Sequence, residues 1–495
     1  MRAFLSYLGA ALLLVVATCW YCQFVYDGDN FYHLAHASVY WNHGIFFRPF
    51  PWVHYSVASQ YNSDLWWGFH VLLAPLTALG DKVLILIAGP GYLMLLNLLI
   101  SRWAVIRLGM SHWYGLVMLP ASLGYFTRME TVRPQVLSAA LLVLVFAAII
   151  SEAPWLAVGA SFFLGLFHPT LCYMVIMVGG ITFLHRGFVK KEWNLWTELS
   201  CLIVALSVAI IRPGIPDGLH LMKVQLLDLM QVRRAGEVKN FGVELDRTNW
   251  PYFLRAYMSP LIVLAVGAAT ALRFRSKEKS PAAMWAAFGV VLAALVLSFA
   301  ITRRGIDQFA PFTILTALLL FHLCPDLRKF TAVIFGIHFT YVLIMMGWQN
   351  AERTHPKNAT DFRGAANWLI NHTQPGELVG QAVWSDFGPL FYWDKHNRFF
   401  GGFDPIFQYT YSPETYWMMT INASGRDLGK TSKYNPLIVP DKEEPISTVW
   451  PRDLKTKWMI VGRHWGEAIQ TELKQDPHVK LRYEDDHARI YEFVP

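Results

Sequence analysis

The apolar residues of this chain come in long runs, separated by short charged or Pro/Gly-rich segments. A helix needs a run of about 20 apolar residues to cross the roughly 30 Å hydrocarbon core of a bilayer. The pattern therefore predicts a polytopic α-helical membrane protein with about eleven transmembrane helices. We place these helices at residues 5–25, 83–100, 113–126, 134–151, 155–167, 169–184, 197–212, 256–273, 282–301, 308–324 and 330–348.

One further apolar segment, residues 66–79, is short and is broken by Pro75. If this segment crossed the membrane, the basic residues Arg102 and Arg107 would fall outside, against the rule that positively charged loops stay in the cytoplasm. We therefore interpret it as a juxtamembrane or re-entrant helix on the outer face.

The basic connections between the spans set the orientation of the chain. A cytoplasmic N-terminus puts all of them inside: Arg102/Arg107, residues 185–191, residues 273–279 and Arg328/Lys329. This topology predicts a transmembrane module at residues 1–349 with large outer loops at 27–82 and 213–255. Everything after residue 349 then lies outside the cytoplasm.

Residues 350–495 are richer in polar and turn-forming residues than the rest of the chain. Apolar positions at residues 361–371 have the spacing of an amphipathic helix. Short strand-like runs follow at residues 378–383, 457–461, 479–483 and 488–493. The mixture predicts an extracytoplasmic α/β domain.

Composition adds two exclusions. The net charge is +7, but most basic residues lie between spans, where they orient the chain, so we expect no nucleic-acid partner. None of the five cysteines follows residue 350, so we expect no disulfide in the external domain.

The first outer loop opens with Asp27, Gly28 and Asp29. Two carboxylates directly after a span would bind a divalent cation or serve as acid/base groups. The alternative is a solvated turn at the end of a helix.

In the second outer turn, Glu130 lies between Arg128 and Arg133. Guanidinium groups bind phosphate well, so the two arginines are candidate phosphate ligands. The alternative is an ion pair between these arginines and Glu130 within the turn.

Two other outer turns carry candidate residues. His168 interrupts an apolar stretch, as either a structural break or a metal ligand. Arg303 and Arg304 enter a span from the outer side, against the usual charge trend, which indicates a bound anion such as a lipid phosphate.

Together these features resemble the GT-C superfamily of membrane glycosyltransferases, which use polyprenyl-phosphate-linked sugars on the extracytoplasmic face. The stretch from Asp29 to Leu34 resembles the Asp-Pro-Tyr-Tyr-His-Leu stretch of the oligosaccharyltransferase catalytic subunit. The stretch from Trp384 to Gly388 resembles a degenerate form of that family's Trp-Trp-Asp-Tyr-Gly motif. The resemblance covers the whole chain in architecture but only short motifs in sequence.

The resemblance implies roles for individual residues. Asp29 would be the essential carboxylate, as a metal ligand or as the base that activates the acceptor, and Glu130 would replace the second acidic motif. Any divalent cation, Mg²⁺ or Mn²⁺, would bind at Asp29 and Glu130, with His168 as a weaker candidate ligand. The donor phosphate would be held by Arg128, Arg133, Arg303 and Arg304. The acceptor would be bound by Trp384, Asp386 and Gly388.

The expected function is inverting transfer of a sugar or glycan from a polyprenyl-phosphate-linked donor to a glycan, lipid or protein acceptor. Asn30, Ser385 and Phe387 depart from the oligosaccharyltransferase motifs, and the arrangement also resembles the lipid-A and protein O-mannosyl members of the superfamily. The alternatives are a transporter or flippase, an O-antigen-type polymerase or ligase, and a noncatalytic assembly subunit. Charges near the membrane midplane are scarce, which argues against transport.

The absence of external disulfides and a retained first span favour a bacterial inner membrane, with a cytoplasmic N-terminus and a periplasmic C-terminal domain. In a eukaryote the corresponding place would be the endoplasmic reticulum membrane.

Overall fold

The computed structural model describes residues 1–21, 27–235, 247–276, 281–352, 358–402, 404–423, 445–463 and 467–494. The chain forms two compact units. Unit 1 comprises Met1–Val25, Ile87–Ile211 and Gly242–Pro356, and unit 2 comprises Tyr26–Leu86, Arg212–Phe241 and Lys357–Pro495.

The helices and strands follow one another in this order. The helices are α1 (Arg2–Tyr21), α2 (Gly28–His43), α3 (Trp67–Leu73), α4 (Lys82–Arg107), α5 (Leu123–Met129), α6 (Gln135–Ile150), α7 (Pro154–Phe167), α8 (Met174–Val189), α9 (Trp196–Ile210), α10 (Asp217–Lys223), α11 (Leu229–Ala235), α12 (Trp250–Phe274), α13 (Ala282–Ala300), α14 (Ile306–His322), α15 (Arg328–Ala351), α16 (Arg363–His372), α17 (Phe387–Trp393), α18 (Pro405–Tyr411), α19 (Pro413–Ala423), α20 (Ile446–Asp453) and α21 (Glu467–Gln475). The strands are β1 (Leu378–Gln381), β2 (Arg398–Phe399), β3 (Trp458–Gly462), β4 (Val479–Glu484) and β5 (Ala488–Phe493).

Seven stretches in the described parts of the chain are long and apolar enough to cross a membrane. They are Arg2–Trp20, Lys82–Arg107, Pro169–Val189, Trp250–Phe274, Ala282–Ala300, Arg303–His322 and Pro325–Ala351. The protein is therefore a polytopic integral membrane protein. Three other predicted spans correspond to the shorter apolar helices α6, α7 and α9, so the count of eleven stays a prediction.

The predicted span at residues 113–126 differs from the structure. A 3₁₀ segment, His112–Met118, is followed by the short helix α5. Pro120 lies between the two and has no N–H to continue a helix. The Ser122 side chain then accepts a hydrogen bond from the Tyr125 N–H at 3.1 Å and starts α5 as a helix of its own.

The predicted juxtamembrane segment at residues 66–79 forms α3 and then a 3₁₀ segment, Ala74–Leu79, which contains Pro75. Both pieces belong to unit 2. Together they form one of the shorter apolar helical stretches, and their interpretation as a juxtamembrane or re-entrant segment stays a prediction.

Helix α14 is buried on every side from Ile306 to Phe321. A helix that is apolar all round belongs in the interior of a bundle, and α14 packs against α12 and α13 in unit 1. The turn that leads into α14, Arg303–Gly305, is therefore attached to the most enclosed helix of the unit.

Unit 2 contains a five-stranded sheet with the order β2-β1-β3-β5-β4. Strands β1, β2 and β3 pair in parallel, whereas β5 is antiparallel to β3 and β4. The four strands and the helix expected in the tail lie where the pattern placed them, and β2 is an addition. Trp450, Phe400, Met459 and Tyr491 form much of the apolar core on the sheet.

Part of residues 27–82, the predicted first outer loop, pairs with this sheet. The backbone N–H groups of His54 and Tyr55 donate to the carbonyls of Phe399 and Phe400, and Phe399 N–H donates to the Trp52 carbonyl. Helix α2 packs against α17, which follows β1. Residues 27–86 and the C-terminal tail thus share one unit, although they lie far apart in sequence.

Candidate active site

Asp29 lies in the first turn of α2. The backbone N–H groups at the start of a helix favour a negative charge, so this is a favourable place for a carboxylate. The side chain of Asp29 is partly exposed, whereas Asn30, Phe31, Tyr32 and His33 are buried. The helix therefore holds Asp29 at the edge of a packed core.

The two motifs that carry the family resemblance meet at the start of α2. A Cβ added to Gly388 would lie 2.2 Å from the Gly28 carbonyl oxygen, and a Cβ added to Gly28 would lie 3.0 Å from the Ser385 carbonyl oxygen. Only glycine at position 388 allows this approach of the two backbones. Gly28, which directly precedes Asp29, thus contacts the segment from Trp384 to Gly388.

Within that segment the three predicted acceptor-binding residues have different surroundings. The Trp384 side chain is 42% exposed and available to a ligand, whereas Asp386 is buried. Gly388 has a packing role in this position. Their contact with an acceptor stays a prediction.

In unit 1, Arg128 forms an ion pair with Asp307 at 2.9 Å between Nε and Oδ1. Asp307 lies in the first turn of α14 and is 2% exposed. Asp307 comes from a different turn than Glu130, and an ion pair between Arg128 and Glu130 stays a prediction. Asp307 was missed, although an acidic residue at the start of an apolar span is a usable signal.

His168 and Arg304 complete a group that we call the outer-turn cluster: Arg128, His168, Arg304 and Asp307. The His168 Nδ1 is 2.9 Å from the Ser138 hydroxyl oxygen. Burial and the nearby guanidinium charges of Arg304 and Arg128 lower the pKa of His168 well below its usual value. With His168 neutral, two cations and one carboxylate leave the outer-turn cluster with a net positive charge.

The neighbouring Arg303 is held in place by its surroundings. Its guanidinium carbon lies 4.4 Å from the centre of the Tyr252 ring. A Cβ on Gly305 would come within 2.5 Å of the Ser298 hydroxyl oxygen and 2.7 Å of the Ala294 carbonyl oxygen. The turn from Arg303 to Gly305 is therefore packed tightly on α13, and both arginine side chains remain partly exposed.

Glu130 is the residue that ends α5, and it is 1% exposed. Arg133 follows in the same turn and is half-buried. The catalytic or metal-binding role of Glu130 and the phosphate-binding role of Arg133 stay predictions, as does metal binding by Asp29 and His168.

An apolar cavity of ≈ 300 Å³ lies between α12 and α15. It is lined mostly by aliphatic side chains, with Ser259, His338 and Tyr341 as the exceptions. Nothing in the sequence pattern distinguished these positions from ordinary lipid-facing or core positions. The aliphatic lining includes Met258, Ile262, Val263, Val266 and Ile337.

No protein-family model and no curated protein matches the chain. Solved structures do match. The crystal structure of ArnT from Cupriavidus metallidurans bound to undecaprenyl phosphate has a TM-score of 0.58 and 12% sequence identity, covering 99% of this chain and 97% of that chain. The apo structure of ArnT has a TM-score of 0.55 and 11% identity, covering 97% and 96%. At this identity the likeness concerns the fold alone, and over nearly its whole length the chain has the fold of ArnT.

Proposed function

We propose that the protein is a GT-C glycosyltransferase that takes a sugar from a polyprenyl-phosphate-linked donor. The observation that carries the proposal is the near-full-length fold likeness to ArnT, which was crystallised with undecaprenyl phosphate. The net positive outer-turn cluster and the neighbouring Arg303 support it, because a lipid phosphate needs cationic partners at the membrane surface.

The donor phosphate binds in this proposal to the partly exposed arginines of unit 1. Arg303 and Arg304 supply positive charge in the turn before α14, and Arg128 forms an ion pair with Asp307. Arg133 is a further phosphate ligand. Guanidinium groups stabilise the departing phosphate because its negative charge grows as the bond to the sugar breaks.

The Arg303→Ala/Arg304→Ala variant is expected to bind polyprenyl phosphate about 100-fold more weakly than the wild type, because two charge-assisted hydrogen-bonding groups are lost. The measurement is saturable binding of undecaprenyl phosphate to the protein in nanodiscs. Replacing the half-exposed Arg398 of unit 2 with alanine is the control and should leave binding unchanged. Wild-type protein that binds no polyprenyl carrier would instead favour a transporter of other substrates or a noncatalytic subunit.

The apolar cavity between α12 and α15 is proposed to take part of the prenyl chain. Its aliphatic lining matches an isoprenoid, and both helices are candidate membrane spans. A prenyl segment that leaves water or lipid for a fitted cavity gains contacts along its length.

Val263→Trp fills this cavity and is expected to weaken binding of undecaprenyl phosphate roughly tenfold, the equivalent of about two buried methylene groups at ~0.8 kcal/mol each. Binding of a short-chain prenyl phosphate should change little, because its chain does not reach the cavity. The control is Ile203→Trp on the exposed face of α9. Equal losses for long and short carriers would contradict this placement of the chain.

The reaction that we propose is an inverting displacement on the extracytoplasmic face. The carboxylate of Asp29 takes the proton of the acceptor O–H or N–H, and the acceptor atom attacks the anomeric carbon of the sugar. The bond between that carbon and the phosphate oxygen breaks, and the phosphate leaves with the electron pair. Trp384, Asp386 and Gly388 bind the acceptor. A Mg²⁺ or Mn²⁺ ion bound by Asp29 or by Glu130 would add positive charge for the leaving group.

A further inference from the structure

Unit 2 contains a buried group of metal-binding side chains that the proposed reaction does not use. His36 lies on α2, Asp64 precedes α3, and His70 lies on α3. All three residues are buried, and one ligand atom from each lies within 4.8 Å of the others. We call these three residues the histidine–aspartate cluster. It joins two helices that lie either side of a long irregular segment.

Each histidine ring in the cluster has one nitrogen held by a neighbouring side chain. The Nε2 of His70 is 2.7 Å from Nδ1 of His33, and Nδ1 of His36 is 3.1 Å from the Tyr32 hydroxyl oxygen. Metal-binding histidines have the same arrangement, because a hydrogen bond to the second nitrogen fixes the tautomer and the direction of the ring.

The other nitrogen of each ring faces one carboxylate oxygen. Oδ2 of Asp64 lies 2.6 Å from Nδ1 of His70 and 3.7 Å from Nε2 of His36. The carboxylate is itself held, because Oδ2 accepts from the Tyr40 hydroxyl at 2.8 Å and Oδ1 accepts from the Trp66 N–H at 2.9 Å. Two nitrogens and one oxygen thus lie close together.

These distances suit a tetrahedral ion with a small rearrangement. Ligand atoms that bind zinc at about 2.0–2.1 Å lie roughly 3.3 Å apart. This separation falls between the 2.6 Å from Asp64 Oδ2 to His70 Nδ1 and the 3.7 Å from Asp64 Oδ2 to His36 Nε2. The rings of His36 and His70 are stacked, with centres 4.3 Å apart, so one ring must rotate for both to point at a shared ion.

We infer that His36, Asp64 and His70 bind a zinc ion that fastens α2 to α3. Two imidazoles and one carboxylate are a zinc ligand set, whereas Mg²⁺ prefers oxygen ligands in an octahedral arrangement that keeps several waters. The Tyr40 hydroxyl or a water molecule completes the tetrahedron. His36 follows Asp29 by seven residues on one face of α2, so the ion stabilises the helix that presents Asp29.

The test is the zinc content of the full-length protein, purified in nanodiscs after incubation with zinc and measured by inductively coupled plasma mass spectrometry. The wild type should hold about one zinc per chain, and His36→Gln/His70→Gln should hold less than about 0.2. His43→Gln, an exposed position on α2, is the control and should keep the wild-type content. Wild-type protein without bound zinc, or a double variant with unchanged zinc, would overturn the inference.

A second measurement on the wild type avoids variants that fail to fold. The zinc X-ray absorption spectrum should show a shell of nitrogen and oxygen with imidazole scattering. Removal of zinc by 1,10-phenanthroline should lower Tm, and added zinc should restore it. A spectrum with no imidazole would contradict these ligands. Since neither readout depends on a sugar donor, the inference can stand or fall independently of the proposed transferase activity.

Discussion

Asp29→Asn is expected to lower sugar transfer by about 10³-fold while leaving the protein folded. Asparagine has nearly the same shape as aspartate, but its amide cannot take the proton of the acceptor, and loss of a general base costs about 10²–10⁴ in rate. The first turn of α2 tolerates the neutral residue, because Asp29 lies at the edge of the packed core rather than in it. The measurement is transfer from a polyprenyl-phosphate-linked sugar to an identified acceptor.

Asp486→Asn is the matched control, since it makes the same chemical change at an exposed carboxylate in unit 2 that pairs with Arg463. It should retain wild-type transfer. The Tm of both variants should match that of the wild type. Full activity of Asp29→Asn would rule out its role as base, and a large fall in its Tm would show that the side chain is structural instead.

Asp307→Ala is expected to destabilise unit 1 by about 3–5 kcal/mol, because it removes a buried carboxylate that forms an ion pair with the Arg128 guanidinium. The second substitution Arg128→Met should recover much of this loss, since the guanidinium that pairs with Asp307 is then removed as well. The measurement is a double-mutant cycle on the free energy of unfolding in mixed micelles.

The control for this cycle is the exposed pair between Lys190 and Glu152, also in unit 1. Surface ion pairs are screened by water, so Glu152→Ala should change stability little. If Asp307→Ala and Glu152→Ala had equal effects, the buried pair would not stabilise the fold. The recovered double variant also tests function, because it lacks one predicted phosphate-binding arginine.

The sequence by itself determined the class of the protein and the type of most elements. Runs of apolar residues predicted a polytopic membrane protein, because the hydrocarbon core accepts only helices or closed barrels. The tail could be assigned as α/β because its helix and strands have local periodicities that a single sequence displays. The segment at residues 113–126 escaped this reasoning, since Pro120 and the Ser122 cap outweighed a continuous apolar run.

Only the tertiary structure decided which distant residues meet. No local pattern places Gly388 against Gly28, and the contact depends on two backbones approaching where side chains would collide. Arg128 forms an ion pair with Asp307, far away in sequence, because the fold packs α14 beside α5. His36, Asp64 and His70 are each unremarkable in sequence. They become a candidate metal site because folding removes them from water together, and buried polar groups must then satisfy one another or an ion.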